Sequence, residues 1–205
     1  VTISFSGAED VVLIDLACEI ASEVQVFCLD TLRLHKETYE FIEQVREHYP
    51  TANIEMIQPD ATAVADFEAA KGQFSFYEDG HEECCGIRKI APLRTHLQNW
   101  DAWITGQRRD QSPTRAEVQQ VETDTAFSTD QHTITKYNPL AEWSSEQVWE
   151  YIRERNIPYN SLHDRSYKSI GCEPCTSKFL DEGRSGRWNG TKKDECGLHL
   201  DLVKK

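Results

Sequence analysis

Four of the seven cysteines in this 205-residue chain form two close pairs. Cys84 and Cys85 are adjacent, and Cys172 and Cys175 form a Cys-x-x-Cys pair much further along the chain. Four thiolates without a histidine pattern suit an iron–sulfur cluster. Neighbouring Cα atoms lie about 3.8 Å apart and their side chains diverge, so two irons suit the adjacent pair better than one shared ion. We therefore expect a 4Fe–4S cluster here, with a zinc site and a disulfide or free-thiol arrangement as alternatives.

A further cysteine near the end of the chain suggests a nucleophile. Cys196 follows Lys192 and Lys193 closely and precedes His199. Cationic neighbours favour the thiolate, which is the reactive form of the side chain. We interpret Cys196 as a reactive thiol, and the alternative is a spare surface thiol or a fifth metal ligand.

The composition is that of a soluble globular α/β domain. The chain is 39% hydrophobic and 28% charged, with a net charge of −13. This acidity disfavours a general nucleic-acid-binding surface, so an anionic ligand needs a local group of basic residues. No apolar run is long enough for a membrane span, and no secretory leader is visible. Cysteines in such a chain favour metal and catalytic roles in a reducing cytoplasm. Because the first residue is Val1, we expect that an N-terminal segment is missing.

The elements that must position these residues alternate between strand and helix, which is typical of a parallel sheet with crossover helices. Strands are predicted at residues 1–5, 24–29, 53–57 and 102–105, and helices at residues 13–20, 35–49, 61–71 and 85–98. Ser144 and Gln147 form a capping box that predicts another helix. We expect one domain over residues 1–205, with a functional tail at about residues 183–205.

A loop suited to anion binding follows the first predicted strand. Ser4, Ser6 and Gly7 precede a helix, where backbone N–H groups and the helix N-terminus attract an anion. No Gly-Lys-Ser/Thr follows, so this is not a Walker A loop, and an ordinary helix N-cap is the alternative. Leu29 and Asp30 end the second strand. Because ligands lie at the carboxyl ends of strands in open α/β sheets, these residues predict a nucleotide pocket.

Basic residues gather in four places despite the overall negative charge. They are Arg88 with Lys89, Arg108 and Arg109 with Arg115, Arg184 with Arg187, and Lys192 with Lys193. The planar guanidinium group suits phosphate and sulfate. We expect the arginines to bind an anionic substrate, whereas the lysine pair is as compatible with a solvated surface.

Motifs along essentially the whole chain resemble those of the sulfonucleotide reductases, most closely the bacterial adenosine 5′-phosphosulfate (APS) reductases. They are residues 4–11 (SFSGAEDV), 29–31 (LDT), 33–35 (RLH), 74–77 (FSFY), 84–89 (CCGIRK), 105–115 (TGQRRDQSPTR), 169–176 (SIGCEPCT), 187–188 (RW) and 195–199 (ECGLH). The resemblance implies an adenine nucleotide alpha hydrolase-like (PP-loop) fold. This is a mostly parallel sheet flanked by helices, here with a mobile C-terminal tail. One departure is Leu32, where the family usually has glycine.

The resemblance also implies roles for individual residues. Cys84, Cys85, Cys172 and Cys175 would hold one 4Fe–4S cluster per chain, and Lys89 would lie between cluster and substrate. Residues implied to bind the substrate are Ser4, Ser6, Gly7, Leu29, Asp30, His81, Arg108, Arg109, Arg115, Arg184 and Arg187. Cys196 would be the nucleophile, with His199 in support.

The implied activity is thioredoxin-dependent reduction of APS to sulfite and AMP, in sulfate assimilation and cysteine biosynthesis. The implied intermediate is an S-sulfocysteine on Cys196. We expect a separate thioredoxin or glutaredoxin as thiol donor, a homo-oligomer, and neither nucleic acid nor membrane as a partner.

Three other functions are compatible with parts of the sequence. A reductase of 3′-phosphoadenosine 5′-phosphosulfate (PAPS) is one, although cluster-free members usually lack the four cysteines; turnover of both substrates distinguishes them. An ATP pyrophosphatase is another, although its loop usually carries Ser or Thr where Val11 follows Asp10. The third is a nucleotide-binding iron–sulfur sensor, which would not need Cys196.

Overall fold

A computed structural model describes residues 1–178 and 186–188 of the chain. Six strands form one sheet in the order β3-β2-β1-β4-β6-β5. They are β1 (Thr2–Ser4), β2 (Val24–Leu29), β3 (Ala52–Ile57), β4 (Ala102–Ile104), β5 (Val121–Thr123) and β6 (Thr135–Tyr137). All neighbouring pairs are parallel except β5 and β6, which are antiparallel. The predicted, mostly parallel α/β sheet is therefore confirmed.

Seven α-helices surround the sheet in the described part of the chain. They are α1 (Ala8–Ile20), α2 (Lys36–His48), α3 (Ala61–Lys71), α4 (Phe76–Asp79), α5 (Glu82–Cys85), α6 (Ala91–Leu97) and α7 (Ser145–Arg155). The capping box predicted before α7 is present, with the Gln147 N–H donating to Ser144 Oγ at 3.2 Å. The predicted helix over residues 85–98 is instead three pieces, because a π-helical turn (Gly86–Ile90) separates α5 from α6.

None of the helices formed by described residues combines the length and the apolar character needed to cross a lipid bilayer.

The two faces of the sheet bury different apolar groups. On one face Val11 and Ile14 of α1 are fully buried in the larger core cluster, which also includes Ile3 of β1. On the other face Phe27 and Trp103 pack with a smaller cluster that α6 contributes to. Because both faces are covered, the central strands are buried between the helices. Since these strands are parallel, their carboxyl ends lie at the same edge of the sheet. The chain order reverses between β1 and β4, which is where ligands bind in such sheets.

The sequence did not predict β5 and β6, which form the edge of the sheet next to β4. Each has only three residues and includes charged side chains, so alternation of apolar residues is weak. Lys136 is nearly fully buried because its Nζ pairs with Glu122 at 2.9 Å. These strands are therefore stabilised by a buried ion pair and by pairing with β4 rather than by an apolar stripe.

Asp15 of α1 connects three helices. The Tyr49 hydroxyl donates to Asp15 Oδ1 at 2.9 Å, and the Tyr151 hydroxyl donates to Oδ2 at 2.9 Å. Arg155 Nε also donates to Oδ2, at 3.1 Å. Burial, then the hydrogen bond to Asp15, raises the pKa of Tyr151 to about 12, so this hydroxyl keeps the proton it donates. One carboxylate thus ties α1 to α7 and to the residue that caps α2.

We expect Asp15→Ala to lower the free energy of unfolding by about 2–4 kcal/mol, because it leaves two tyrosine hydroxyls without their acceptor. Denaturant unfolding measures the change. The matched control is Asp66→Ala at an exposed position of α3, which should stay within about 0.5 kcal/mol of the parent protein. Equal stability of the two variants would contradict this role for Asp15.

Candidate active site

A cleft of about 1150 Å³ opens at the carboxyl ends of β1, β2 and β4. Ten of the residues that the sequence singled out line it: Ser4, Ser6, Gly7, Leu29, Lys89, Arg108, Arg109, Arg115, Cys172 and Arg187. The cleft therefore lies at the switch point of the sheet and reaches the Cys-x-x-Cys pair.

The loop after β1 is closed by the carboxylate of Asp10. The N–H groups of Ser6 and Gly7 donate to Asp10 Oδ2 at 2.8 and 2.9 Å, and the Ser6 hydroxyl donates to the same oxygen. Burial, then the charge of Glu9, raises the pKa of Asp10 to about 6, and the hydrogen bonds from Ser6 and Gly7 oppose that rise. These two amides, which the sequence predicts as anion donors, are thus already bonded within the loop.

Gly106 brings the loop after β4 against the loop after β1. Its N–H donates to Asp10 Oδ1 at 3.0 Å. A Cβ atom at Gly106 would lie 2.5 Å from that oxygen and 2.7 Å from Glu9 Cβ. Only glycine permits this approach, so the cleft wall depends on the missing side chain.

The three arginines after β4 already have protein partners. Arg108 is 4% exposed and donates to Glu9 Oε1 at 3.0 Å and to the Trp143 carbonyl at 3.2 Å. Burial alone would raise the pKa of Glu9, but the Arg108 charge and its hydrogen bonds lower it overall. Arg109 Nε donates to the Val118 carbonyl, and Arg115 bonds Gln111. These guanidinium groups therefore position the cleft wall, and the carboxylates paired with Arg108 and Arg109 offset their charge.

Arg187 also lines the cleft. Its Nη1 donates to the Ile170 carbonyl at 3.1 Å, and its guanidinium lies 4.6 Å from the centre of the Trp188 ring. A Cβ atom at Gly171 would lie 2.2 Å from Arg187 Nη2. Gly171 thus leaves the space that the guanidinium occupies.

The four predicted ligand cysteines come from two segments that meet beside the cleft. Cys84 and Cys85 are buried at the end of α5, and Cys172 is buried just before the 3-10 turn Glu173–Cys175. Cys84 and Cys175 share an apolar cluster with Phe67 and Phe76 of α3 and α4. We call these four thiols the thiol centre.

Charges within the thiol centre act on one another. Burial, then the Cys85 charge, raises the pKa of Cys84. Burial, then the Cys172 charge, raises the pKa of Cys175 to about 12. Burial also opposes ionisation of Cys172, but the Lys89 ammonium, the Thr31 hydroxyl and the Arg187 guanidinium outweigh it and lower its pKa. The centre therefore combines one thiol, Cys172, that is poised to ionise with two, Cys84 and Cys175, that resist ionisation.

The four thiols of the thiol centre lie near one another, but they are not arranged around a single metal-ion position. Within residues 1–178 and 186–188, no group of three or more Cys, His, Asp or Glu side chains is arranged to hold a single metal ion. Four soft thiol donors, three of them buried and one half-buried, nevertheless fit a group that carries positive charge at several separate atoms.

Lys89 lies where the cleft meets the thiol centre. It lines the cleft, is buried, and its charge and a hydrogen bond both act on Cys172. It stands on the π-helical turn directly after Cys85, next to Arg88, which is also buried. The wider turn lets two consecutive basic residues be buried beside the cysteines.

Asp30 and His81 do not line the cleft, although the sequence grouped them with the substrate-binding residues. Asp30 accepts hydrogen bonds from the Leu32 N–H at 2.9 Å and the Tyr39 hydroxyl at 2.7 Å. His81 is buried, with its ring centre 5.1 Å from that of Phe76. These contacts give both residues positions behind the cleft wall. Cys196, His199, Arg184, Lys192 and Lys193 lie outside the described residues.

Sequence reasoning missed four residues that shape the site: Asp10, Thr31, Gly106 and Gly171. Asp10 had a signal, because an acidic residue at the third position of a helix often bonds back to the preceding loop. The two glycines gave none, since only the fold shows what a Cβ would meet. Thr31 places its hydroxyl 3.3 Å from Cys172 Sγ, a contact between residues 141 positions apart.

Comparisons with known proteins agree with one another on the family. The model of the family described as "Phosphoadenosine phosphosulfate reductase domain" matches residues 1–178. The chain is 57% identical to an adenosine 5′-phosphosulfate reductase of Pseudomonas aeruginosa, covering 99% of this chain and 78% of that protein. It is 47% identical to 5′-adenylylsulfate reductase 1, chloroplastic, of Arabidopsis thaliana, covering all of this chain and 45% of that protein.

Solved structures show the same fold. A phosphoadenylyl-sulfate (PAPS) reductase from Candida auris superposes with a TM-score of 0.68 at 26% identity, covering 86% of this chain and 82% of that one. An FMN adenylyltransferase from Candida glabrata superposes with a TM-score of 0.61 at 15% identity, covering 99% of this chain and 62% of that one. These likenesses confirm the PP-loop α/β fold predicted from the sequence.

We expect Gly106→Ala to weaken binding of adenosine 5′-monophosphate by about 5- to 100-fold, because the added methyl group must push the two cleft loops apart. Calorimetric titration measures the affinity. Gly86→Ala is the matched control, since nothing lies within 4 Å of its Cβ position. Unchanged affinity in Gly106→Ala would show that the loops separate without cost.

Proposed function

The chain belongs to the phosphoadenosine phosphosulfate (sulfonucleotide) reductase family, and on that premise we propose that it reduces adenosine 5′-phosphosulfate to sulfite and AMP with electrons from thioredoxin. The position of Lys89 carries the proposal, because this residue joins the nucleotide-sized cleft to the thiol centre. The relatives named for the unphosphorylated nucleotide support that substrate over PAPS.

The first chemical step transfers the sulfo group to the enzyme. The Cys196 thiolate attacks the sulfate sulfur of the substrate, the bond from that sulfur to the phosphate oxygen breaks, and AMP leaves with the electron pair. The product on the enzyme is S-sulfocysteine. Thiolate and phosphosulfate are both anionic, so cations must offset their repulsion and the charge that develops on the leaving phosphate.

The residues that line the cleft supply those cations. Lys89, Arg187 and Arg108 all line it. Arg108 is held by Glu9, so we assign it to orientation of the loop, and we assign contact with the sulfate and phosphate oxygens to Lys89 and Arg187. Arg184 and His199 complete the proposed set from the part of the chain that follows.

The second step releases the product. A thioredoxin thiolate attacks the Cys196 sulfur, and sulfite leaves as the sulfur–sulfur bond to it breaks. The mixed disulfide that forms is resolved by the second thiol of thioredoxin, whose two thiols end as a disulfide. Two electrons thus pass from the donor dithiol to the sulfate sulfur, and the enzyme returns to its thiol form.

The thiol centre fits a 4Fe–4S cluster, with Cys84, Cys85, Cys172 and Cys175 as its ligands. When bound, the cluster would supply an electrostatic and architectural element rather than electrons for sulfite formation. Lys89 orients its ammonium between Cys172 and the cleft, which keeps a positive charge at the point where the sulfo group must lie.

We expect Lys89→Gln to lower kcat/KM for the nucleotide by about 100-fold, the usual effect of removing one group that stabilises transition-state charge. Steady-state sulfite release measures the change. Lys168→Gln is the control, since Lys168 also lines the cleft but is exposed and absent from the electrostatics of the thiol centre. Equal losses of kcat/KM in both variants would show that Lys89 acts only through the general positive charge of the cleft.

We expect Cys196→Ser to lower sulfite release by at least about a thousandfold while nucleotide binding and bound iron stay unchanged. Mass spectrometry after incubation with APS and no reductant should find a sulfo adduct on Cys196 of the parent protein. Cys18→Ser, a half-buried thiol in α1, should keep full activity. Normal sulfite release by Cys196→Ser would refute the proposed chemistry.

A further inference from the structure

Two buried arginines behind the thiol centre share one carboxylate. Arg33 and Arg88 have side chains 7% and 3% exposed, and each places Nη2 on Glu68 Oε1, at 3.0 and 2.5 Å. Arg88 Nη1 also donates to the Thr31 carbonyl at 2.9 Å, and the Arg33 guanidinium lies 5.2 Å from the centre of the Phe76 ring. We call Arg33 and Arg88 the guanidinium pair, and Glu68 is the carboxylate that bridges them.

The charges of this group do not balance by themselves. Two buried guanidinium cations face one carboxylate, so the group holds one excess positive charge. A buried charge without a counterpart is strongly destabilising, and a negative partner is therefore expected nearby. Both arginines adjoin the thiol centre, because Thr31, which accepts from Arg88, has its hydroxyl 3.3 Å from Cys172 Sγ, and Phe76, which Arg33 contacts, packs with Cys84.

The same two arginines also hold unused donors. Arg33 Nη1 and Arg88 Nε are buried and have no hydrogen-bond partner among the described residues. Buried N–H groups are rarely left unbonded, because the lost hydrogen bond to water is not replaced. A thiolate-bound cluster is a large anion with sulfur acceptors, which matches both the missing charge and the missing acceptors.

We propose that Arg33 and Arg88, bridged by Glu68, are positioning residues that stabilise the negative charge of the cluster from outside the lining of the cleft. The inference rests on the proposed cofactor but concerns residues that take no part in substrate binding. Lys89 stabilises the thiol centre from the lining of the cleft, whereas the guanidinium pair, held together by Glu68 of α3, stabilises it from residues that do not line the cleft.

The test uses opposite charge changes within one hydrogen-bonded group. Arg88→Gln removes a positive charge and should release iron to a chelator about tenfold faster than the parent holoprotein, the factor expected for a lost interaction with a charged group. Glu68→Gln removes the negative charge and should slow that release. The reduction potential of the cluster, followed by EPR in a mediated titration, should shift downward in Arg88→Gln and upward in Glu68→Gln.

A conservative variant and two distant variants distinguish an effect of charge on the cluster from an effect of packing. Arg88→Lys should restore the potential and most of the retention of iron, because it keeps the charge. Arg94→Gln, an exposed arginine of α6 that contacts Phe127, and Glu150→Gln, at an exposed position of α7, should leave both readouts unchanged.

Changes of the same sign in Arg88→Gln and Glu68→Gln would overturn the inference, because loss of packing alone moves both variants in one direction. Unchanged iron release in both would overturn it as well. A parent protein that binds no iron after reconstitution with ferrous ion and sulfide would instead reject the proposed cofactor, so the two failures are distinguishable.

Discussion

The carboxylate of Asp10 is the contact on which the arrangement of the cleft depends. It accepts hydrogen bonds from the loop after β1 and from Gly106 after β4, and so bridges the two strands where the chain order reverses. Glu9, next to it, holds Arg108 in the same wall. Because these groups are buried and mutually bonded, the loops after β1 and β4 form one unit. The nucleotide site is thereby preorganised by the protein's own charges.

The basic residues of the site differ in position and in the partners that hold them. Arg108 is neutralised by carboxylates within the wall, Arg187 is held against a ring and a carbonyl, and Lys89 reaches Cys172 at the base. Arg33 and Arg88 add charge behind the thiols. An acidic protein with a net charge of −13 thus keeps its cations where an anionic substrate and anionic sulfurs must approach each other.

The sequence predicts the fold and the location of the site well, because both depend on local patterns. An apolar run marked β2, Gly72 marked the end of α3, and the paired cysteines marked the thiol centre. The weaker predictions concern contacts across long separations. The partners of Arg108 and Arg109, the position of His81 behind Phe76, and the short strands β5 and β6 all depend on residues far away in the chain. Leu32 shows the same limit: it has a φ of 59°, which glycine adopts easily, although it is leucine.

The π-helical turn between Cys85 and Ala91 constrains the length of the chain as well as its residue types. It contains one residue more per hydrogen-bonded loop than the α-helices on either side. If the same residues formed a regular α-helix instead, the extra residue would rotate the cysteine pair by about 100° relative to α6. Cys84 would then turn away from Cys175 while Leu93 stayed in the core. The number of residues in the segment and its wider hydrogen bonding thus act together, and substitutions that return it to α-helical hydrogen bonding without shortening it are incompatible with the assembled site.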